Sequence, residues 1–284
     1  MRIVLTGGTG YIGSAVVREL VAAGHAVTAL VRSDEAAGKA GKHGADPIVG
    51  DLFDGAWTAE RFAEADAAAH IAATGGPDTA DLDRTIVGAA VEAFRGTAKQ
   101  FVHTSGIWLW GDNADITEAS PLQPPALTAW RVPVEQSLLD SPIAATIVAP
   151  GIVYGHGGGI PAGVLAPARD DQGRVRLIGD GSQHWTSVHV DDVASAYRIV
   201  LEHGSPLGRL VIASGTNPTV LELAEAAAGA AGVAPESVED SRGRLGAAFA
   251  DALLLDQQAS GARARELGWN PGGVSLVSEL RSGS

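Results

Sequence analysis

Thr6-Gly7-Gly8-Thr9-Gly10-Tyr11-Ile12-Gly13 stands directly after a short β-branched and leucine run, Arg2 to Thr6. It opens a stretch in which Ile12, Ala15, Val16, Leu20 and Ala23 recur at helical spacing until Gly24 ends it. A glycine loop in that setting leaves few folds open. Gly7 permits a tight turn, Gly10 lets the backbone approach a pyrophosphate, and Gly13 lets the helix pack closely on a sheet. The helix N-terminus then offers unpaired N–H groups and a positive dipole end to phosphate oxygens, with Thr9, Tyr11 and Ile12 in the same cradle. The strand before and the helix after distinguish this pattern from a chance cluster of glycines.

The second strand, Ala26 to Val31, ends where an acidic residue would bind the ribose 2′-hydroxyl of NAD. Leu30-Val31-Arg32-Ser33 offers a cation there instead. Arg32 can make a charge-assisted contact to a 2′-phosphate, with Ser33 assisting, which favours NADP; NAD stays open because Asp34 could turn toward a ribose. A solvated surface arginine is the plain alternative.

Further strands are expected at Pro47 to Val49, Ala67 to Ile71, Gln100 to Thr104 and Ala145 to Ala149, with helices near Thr58 to Ala65 and Asp81 to Phe94. Pro133 makes Pro125 to Leu139 ambiguous: either a helix starts near Val132 with the proline in its first turn, or a longer helix kinks. Strands spaced by helices predict an α/β fold, a doubly wound Rossmann-type parallel sheet. After Pro150-Gly151 the pattern changes to glycine-rich turns and shorter elements, with helices at Asp191 to His203 and Val220 to Ala231. Residues 1–150 are therefore read as the dinucleotide-binding domain. Residues 151–284 are read as mainly a smaller substrate lobe, part of which can pack back on the first domain. The last four residues, Arg281 to Ser284, are expected to fray.

Composition narrows the function. A net charge of -13 disfavours nucleic acid and anionic membrane as partners. Without cysteine, thiolate chemistry is excluded. No apolar run approaches the ~20 residues of a membrane span, and the N-terminus reaches glycine too soon for a signal peptide. A cytoplasmic, soluble enzyme with a small-molecule substrate is expected, as monomer or homodimer. The histidines lack zinc-site spacing, so no metal is expected.

The chain resembles the extended or atypical short-chain dehydrogenase/reductases, including the NAD-dependent epimerase/dehydratase group. The resemblance rests on the glycine loop at 6–13, Gly50-Asp51-Leu52, His70-Ile71-Ala72-Ala73 and Phe101-Val102-His103-Thr104-Ser105. It continues through Ala149-Pro150-Gly151-Ile152-Val153-Tyr154-Gly155, Val188-His189-Val190-Asp191-Asp192-Val193-Ala194 and Leu267-Gly268-Trp269-Asn270-Pro271. It implies that Asp51, beside Leu52, contacts the adenine amine, that Ala72 and Ala73 line the cofactor cleft, and that Pro150 to Ile152 border the nicotinamide. The family's proton-transfer tyrosine and the lysine four residues later are missing. Leu127 stands at the tyrosine position and Arg131 at the lysine position, if Glu135 is the family's helix glutamate. Arg131 can hold a ribose or phosphate but is a poor proton shuttle.

Ser105, with Thr104 as its alternate, is expected to orient a substrate oxygen; a loop or capping hydrogen bond is the plain alternative. Glu118 could donate the proton if burial raises its pKa, or be a solvated loop acid. Tyr154 carries a suitable hydroxyl, or packs beneath the second lobe. His156 could act as an acid near neutral pH or be an exposed loop histidine. His189 is read as a brace at the lobe junction and Asp191 as a helix cap. Trp108, Trp110, Trp130 and Trp185 fall in segments expected to border the substrate cleft, which suggests a bulky apolar, aromatic or cationic substrate. The reading is an NADP(H)-dependent oxidoreductase acting on a small carbonyl or imine. A redox-neutral isomerase, dehydratase or cyclase, and a catalytically silent nucleotide sensor, are the rivals.

Overall fold

The computed structural model describes residues 1–165 and 167–282. Strands and helices alternate through β1 (Arg2–Thr6), α1 (Tyr11–Ala22), β2 (Ala26–Val31), α2 (Asp34–Lys42), β3 (Asp46–Val49) and α3 (Gly55–Ala63). They continue as β4 (Ala67–His70), α4 (Thr79–Phe94), β5 (Gln100–Thr104), β6 (Asn113–Ile116), α5 (Arg131–Leu139) and β7 (Ala144–Pro150). Then come β8 (Ile152–Gly155), α6 (Gly159–Val164), β9 (Val175–Arg176), β10 (Ser187–His189), α7 (Val190–His203) and β11 (Gly208–Ile212). The chain closes with α8 (Val220–Ala228), β12 (Val233–Ala234), α9 (Val238–Leu245), α10 (Ala247–Leu253), β13 (Gln257–Ala259), α11 (Ala262–Glu266) and α12 (Leu276–Ser282).

Seven strands form one parallel sheet in the order β11-β7-β5-β4-β1-β2-β3. The order reverses at β1, which pairs with β2 on one side and β4 on the other. In such a sheet the crevice at the carboxyl ends of the strands, beside the reversal, is where ligands bind. Both faces are covered, which is why the central strands are almost wholly apolar. Val16, Val17 and Leu20 of α1 pack with Val193, Tyr197 and Val200 of α7 on one face. Phe62, Phe94, Phe101 and Leu138 fill the other under α3, α4 and α5.

Part of the chain beyond residue 150 belongs to this layer, since β11 is an edge strand of the sheet and α7 lies on α1. The smaller lobe has its own core, built on Leu165, Leu177, Trp185, Leu223 and Leu253. Trp269 ties the C-terminal segment back to the first layer: its indole N–H donates to Asp192 O at 2.8 Å, and the ring is 2 % exposed.

Several elements differ from the sequence reading. Helix α2 was not expected, because alanine is its sole apolar residue type and Ala40 its sole buried one. Local terms hold it: Ser33 Oγ accepts from Ala36 N, and Glu35 pairs with Lys39 one turn on. Helix α5 begins at Arg131, so Pro133 is its third residue, in the first turn where a missing N–H costs nothing. The cap of α7 is His189, whose Nδ1 accepts from Asp191 N at 3.2 Å; Asp191 lies inside the helix and meets His156 Nε2 at 2.8 Å instead. The helix expected to reach Ala231 stops at Ala228 and tightens into a 3₁₀ turn. Arg281 and Ser282 end α12 where fraying was expected, and Gly283 and Ser284 lie outside the described residues. No described helix is long and apolar enough to cross a membrane.

Replacing Trp269 with alanine empties a buried site that joins the C-terminal segment to α7. Urea denaturation should show a loss of about 3–5 kcal/mol, the usual cost of truncating a buried large aromatic.

Candidate active site

Two cavities flank the glycine loop. The first, of about 280 Å³, is lined by Gly7, Thr9 and Gly10 together with Arg32, Ser33, Leu52, Ala72 and Ala73. Gly7 takes φ +80°, and a Cβ there would lie 2.5 Å from Ala72 N. At Gly13 a Cβ would stand 2.0 Å from Gly7 O, so only glycine lets α1 start this close to the turn. No side chain caps α1, which leaves the N–H groups of its first turn aimed at the loop. The cradle therefore fits a pyrophosphate. Arg32 is exposed at the rim and makes no ion pair or hydrogen bond to another described residue. Asp34 opens α2 outside the lining, and Ser33 Oγ is engaged as the α2 cap. Asp51, also outside it, accepts from Phe53 N in its own turn.

The second cavity, of about 270 Å³, lies between the loop and the second lobe. Its walls are largely apolar: Ile12, Ile107, Trp108, Pro150, Ile152, Val153 and Ile160. Ser105, Thr128, Arg131 and Tyr11 supply its polar side chains. The Tyr11 hydroxyl donates to Gly155 O at 2.8 Å, and a Cβ at Gly158 would meet the Tyr11 ring at 2.4 Å. Of the four tryptophans expected here, Trp108 lines the cleft and Trp130 stacks on Arg131, whose Cζ is 4.6 Å from the ring centre. Trp110 and Trp185 are buried in cores instead.

Beneath this floor sits Asp83 of α4, only 2 % exposed. Ionised, it can only accept, so His70 Nε2–H donates to Oδ1 at 3.0 Å and His70 Nδ1 accepts from the Thr6 hydroxyl at 2.6 Å. Arg131 Nη1 donates to Thr104 O at 3.0 Å and stands 3.5 Å from Asp83 Oδ2. Thr104 Oγ1 bonds His70 O and the Tyr197 hydroxyl, so its side chain serves the framework and does not line the cleft. Burial alone would raise the Asp83 pKa. The His70 hydrogen bond and the electrostatic pull of His70, His103 and Arg131 outweigh it and hold the carboxyl below its usual range. His103 is fully buried, and burial pushes its pKa down to about 3 against the pull of Asp83. Its Nε2 is 3.5 Å from Asp83 Oδ2, but neither ring nitrogen meets hydrogen-bond geometry, so it is neutral at ordinary pH and no ion pair forms.

Residues 3–213 match the sequence model of the NAD dependent epimerase/dehydratase family. The chain belongs to that family. A UDP-glucose 4-epimerase of Mycolicibacterium smegmatis is 31% identical over 95% of this chain and 94% of its own. An uncharacterised Saccharomyces cerevisiae protein is 28% identical over 99% of this chain and 98% of its own. A 2-alkyl-3-oxoalkanoate reductase of Stenotrophomonas maltophilia is 28% identical over 72% of this chain and 67% of its own. Among solved structures, the human epimerase family protein SDR39U1 with NADPH superposes with a TM-score of 0.77 at 22% identity, covering 99% of this chain and 98% of that one.

Within the epimerase/dehydratase fold, this chain's expected proton donors lie away from the cleft. Glu118 Oε1 accepts from Val211 N at 3.0 Å, so its carboxylate braces edge strand β11. The Tyr154 hydroxyl donates to Val274 O at 2.8 Å and faces a different cavity; burial first, then Asp192 and Glu279, raise its pKa to about 12. Burial likewise pushes the phenols of Tyr11 and Tyr197 upward. His156 pairs with Asp191 outside the cleft. Sequence reasoning missed two residues that matter here, Asp83 and Thr128. Thr128 lines the cleft one residue past the vacant tyrosine position, and its hydroxyl is buried without a hydrogen-bond partner.

The sign of the His103 effect is fixed by its depressed pKa. Between about 3 and 6.5 the unfolded chain binds a proton that the folded chain refuses, so this group makes stability fall as pH falls through that window. Urea titrations at pH 4–7 should show a slope approaching ~1.4 kcal/mol per pH unit that flattens in His103→Phe.

Proposed function

We propose that this chain is an NADP(H)-dependent oxidoreductase that transfers hydride to or from a small apolar or aromatic carbonyl or imine in the cytoplasm. The observation that carries the reading is the cleft of about 270 Å³, apolar in its walls and polar at Ser105, Thr128 and Arg131. It must take the nicotinamide as well as substrate, yet it falls below the ~300–1,000 Å³ of pockets for drug-sized ligands. A small substrate follows. The relative that acts as a 2-alkyl-3-oxoalkanoate reductase supports a carbonyl, and the neighbour solved with NADPH supports the cofactor.

In this reading the glycine loop holds the pyrophosphate, with Gly7, Thr9 and Gly10 beneath it and Gly13 keeping α1 close. Arg32 takes the 2′-phosphate, and Leu52, Ala72 and Ala73 line the adenosine side. Tyr11, Ile12, Pro150 and Ile152 border the nicotinamide. Arg131 Nη1 is spent on Thr104 O and faces Asp83, while the other guanidinium N–H groups are left for the nicotinamide ribose. The bound dinucleotide would supply or accept the hydride. Ser105 orients the substrate oxygen. The likeness to a UDP-glucose 4-epimerase favours one rival, a redox-neutral isomerase that keeps its oxidised dinucleotide through purification.

Titration with NADPH and NADH, followed by energy transfer from tryptophan to the nicotinamide, tests the assignment. NADPH should bind more tightly. Arg32→Ala should erase ~10–100-fold of that preference, the worth of a charged hydrogen-bonded pair. Equal binding in the wild type would remove Arg32 as the selector. Binding of neither would remove the oxidoreductase.

A further inference from the structure

The cavity that Tyr154 faces has no part in the reading above. It holds about 1000 Å³ between residues 156–158, the start of α7 and α12, and His156, His189, Asp191 and Glu279 line it. They come from a loop, a helix cap and two helices, so spacing along the chain does not announce them as a group. One donor atom from each of His156, His189 and Asp191 lies within 4.8 Å of the others. His156 Nε2 stands 2.8 Å from Asp191 Oδ2, and His189 Nδ1 stands 3.7 Å from the same oxygen. Two ligands of one zinc ion, each ~2.0–2.2 Å from it, stand roughly 3.3–3.6 Å apart in a tetrahedron. The two separations bracket that spacing.

The His189 ring is built into place. It is 8 % exposed, and Nδ1 accepts from Asp191 N at 3.2 Å, so in the neutral ring the proton lies on Nε2. Nε2 is 3.9 Å from Glu279 Oε2, too far for a hydrogen bond, while Glu279 Oε1 accepts from Gly157 N at 3.1 Å. A Cβ at Gly155 would lie 2.5 Å from His189 Nε2, and one at Gly273 2.4 Å from its Cβ, so glycines keep the chain clear of the ring. Among the described residues His156 is the one non-glycine in left-handed backbone, at φ 54°, and its ring stands edge-on to His189 with centres 5.2 Å apart. A hydrogen bond between imidazole and carboxylate accounts for His156 and Asp191 alone. It leaves His189 and Glu279 short of contact.

We propose that this group is a zinc site, with His156 Nε2, His189 Nδ1 and Asp191 Oδ2 as ligands and Glu279 behind His189. Two imidazoles and a carboxylate, without thiolate, suit zinc. With both rings neutral, as ligation requires, Asp191 and Glu279 bring the two negative charges that balance a divalent cation. Ligation moves the His156 proton to Nδ1 of a ring that is 61 % exposed, and the ion takes the place of the long Asp191 N–H bond on His189 Nδ1. His189 keeps Nε2–H for Glu279, the arrangement of carboxylate, histidine and metal that orients a ligand ring and raises its basicity. Three protein ligands leave one position for water or for an oxygen-bearing small molecule in the cavity. Asp192 also lines the cavity, but its carboxylate accepts from Gly272 N and Gly273 N. Arg169 in the same wall donates to Gly173 O and Ala227 O. The site lies outside the cleft and does not depend on the oxidoreductase reading.

Cobalt(II) titration of the full chain, purified without a histidine tag and stripped with chelator, tests this. One equivalent should bind and give the visible absorption bands of protein-bound cobalt with few ligands, and zinc should displace it. The His156 and Asp191 side chains are 61 % and 54 % exposed, so His156→Ala and Asp191→Asn should keep the fold, checked by far-ultraviolet circular dichroism. Each should weaken binding by at least ~10–100-fold, the usual effect of losing even a supporting residue of a metal site. Glu279→Gln should weaken it within that range and keep the bands. His184→Ala removes a histidine that pairs with Asp256 at the same 2.8 Å elsewhere on the molecule, and it should bind cobalt as the wild type does. The weak spectrum of hydrated cobalt alone, or an affinity unchanged in His156→Ala, would overturn the site. So would a loss in His184→Ala as large as that in His156→Ala.

Discussion

A carboxylate with almost no access to water holds the floor of this cleft together. Asp83 reaches from α4 to the ends of β4 and β5 and to the first residue of α5, and through His70 to Thr6 at the end of β1. An unpaired charge at this depth would be strongly destabilising, so its neighbours are constrained in turn. His70 must present Nε2–H, Arg131 must keep Nη1 turned inward, and His103 must stay neutral. The glycine loop continues from the same Thr6. The end of the glycine loop and the Arg131 side chain in the cleft are thus tied to one buried anion.

That dependence explains which parts could be read in advance. The glycine loop was legible because its spacing and flanking elements are local, and Gly13 would clash with Gly7 O of the same loop if given a Cβ; the clash of Gly7 with Ala72, by contrast, comes from the fold. The buried strands were legible because apolar runs have few other uses. Helix α2 was not, since its stability comes from a cap and an exposed pair and not from an apolar stripe. Asp83 looked like an ordinary polar residue in an amphipathic helix, because its partners at 70, 103 and 131 come from other elements. Glu118 and Tyr154 failed for a related reason. Their positions along the chain were near the cleft, but side-chain direction is set by tertiary partners, Val211 N for one and Val274 O for the other.

Loss of the family's tyrosine and lysine reads differently once the fold is in view. Arg131 keeps the lysine's place and its charge, and Asp83 is the buried counter-charge beside it. Beside that pair, the buried hydroxyls of Ser105 and Thr128 have no hydrogen-bond partner. The family's scaffold is retained, while no tyrosine of the chain has a lysine four residues later.

Tyr11 has a further consequence. Its phenol grips Gly155 O and its ring lies against Gly158, so a residue of the phosphate loop also latches the first loop of the smaller lobe. Any outward swing of residues 155–159 strips Tyr11 of its acceptor, and any shift of the phosphate loop pulls on those residues. The phosphate loop and residues 155–159 are therefore held to one another by the hydrogen bond and ring contact of a single side chain.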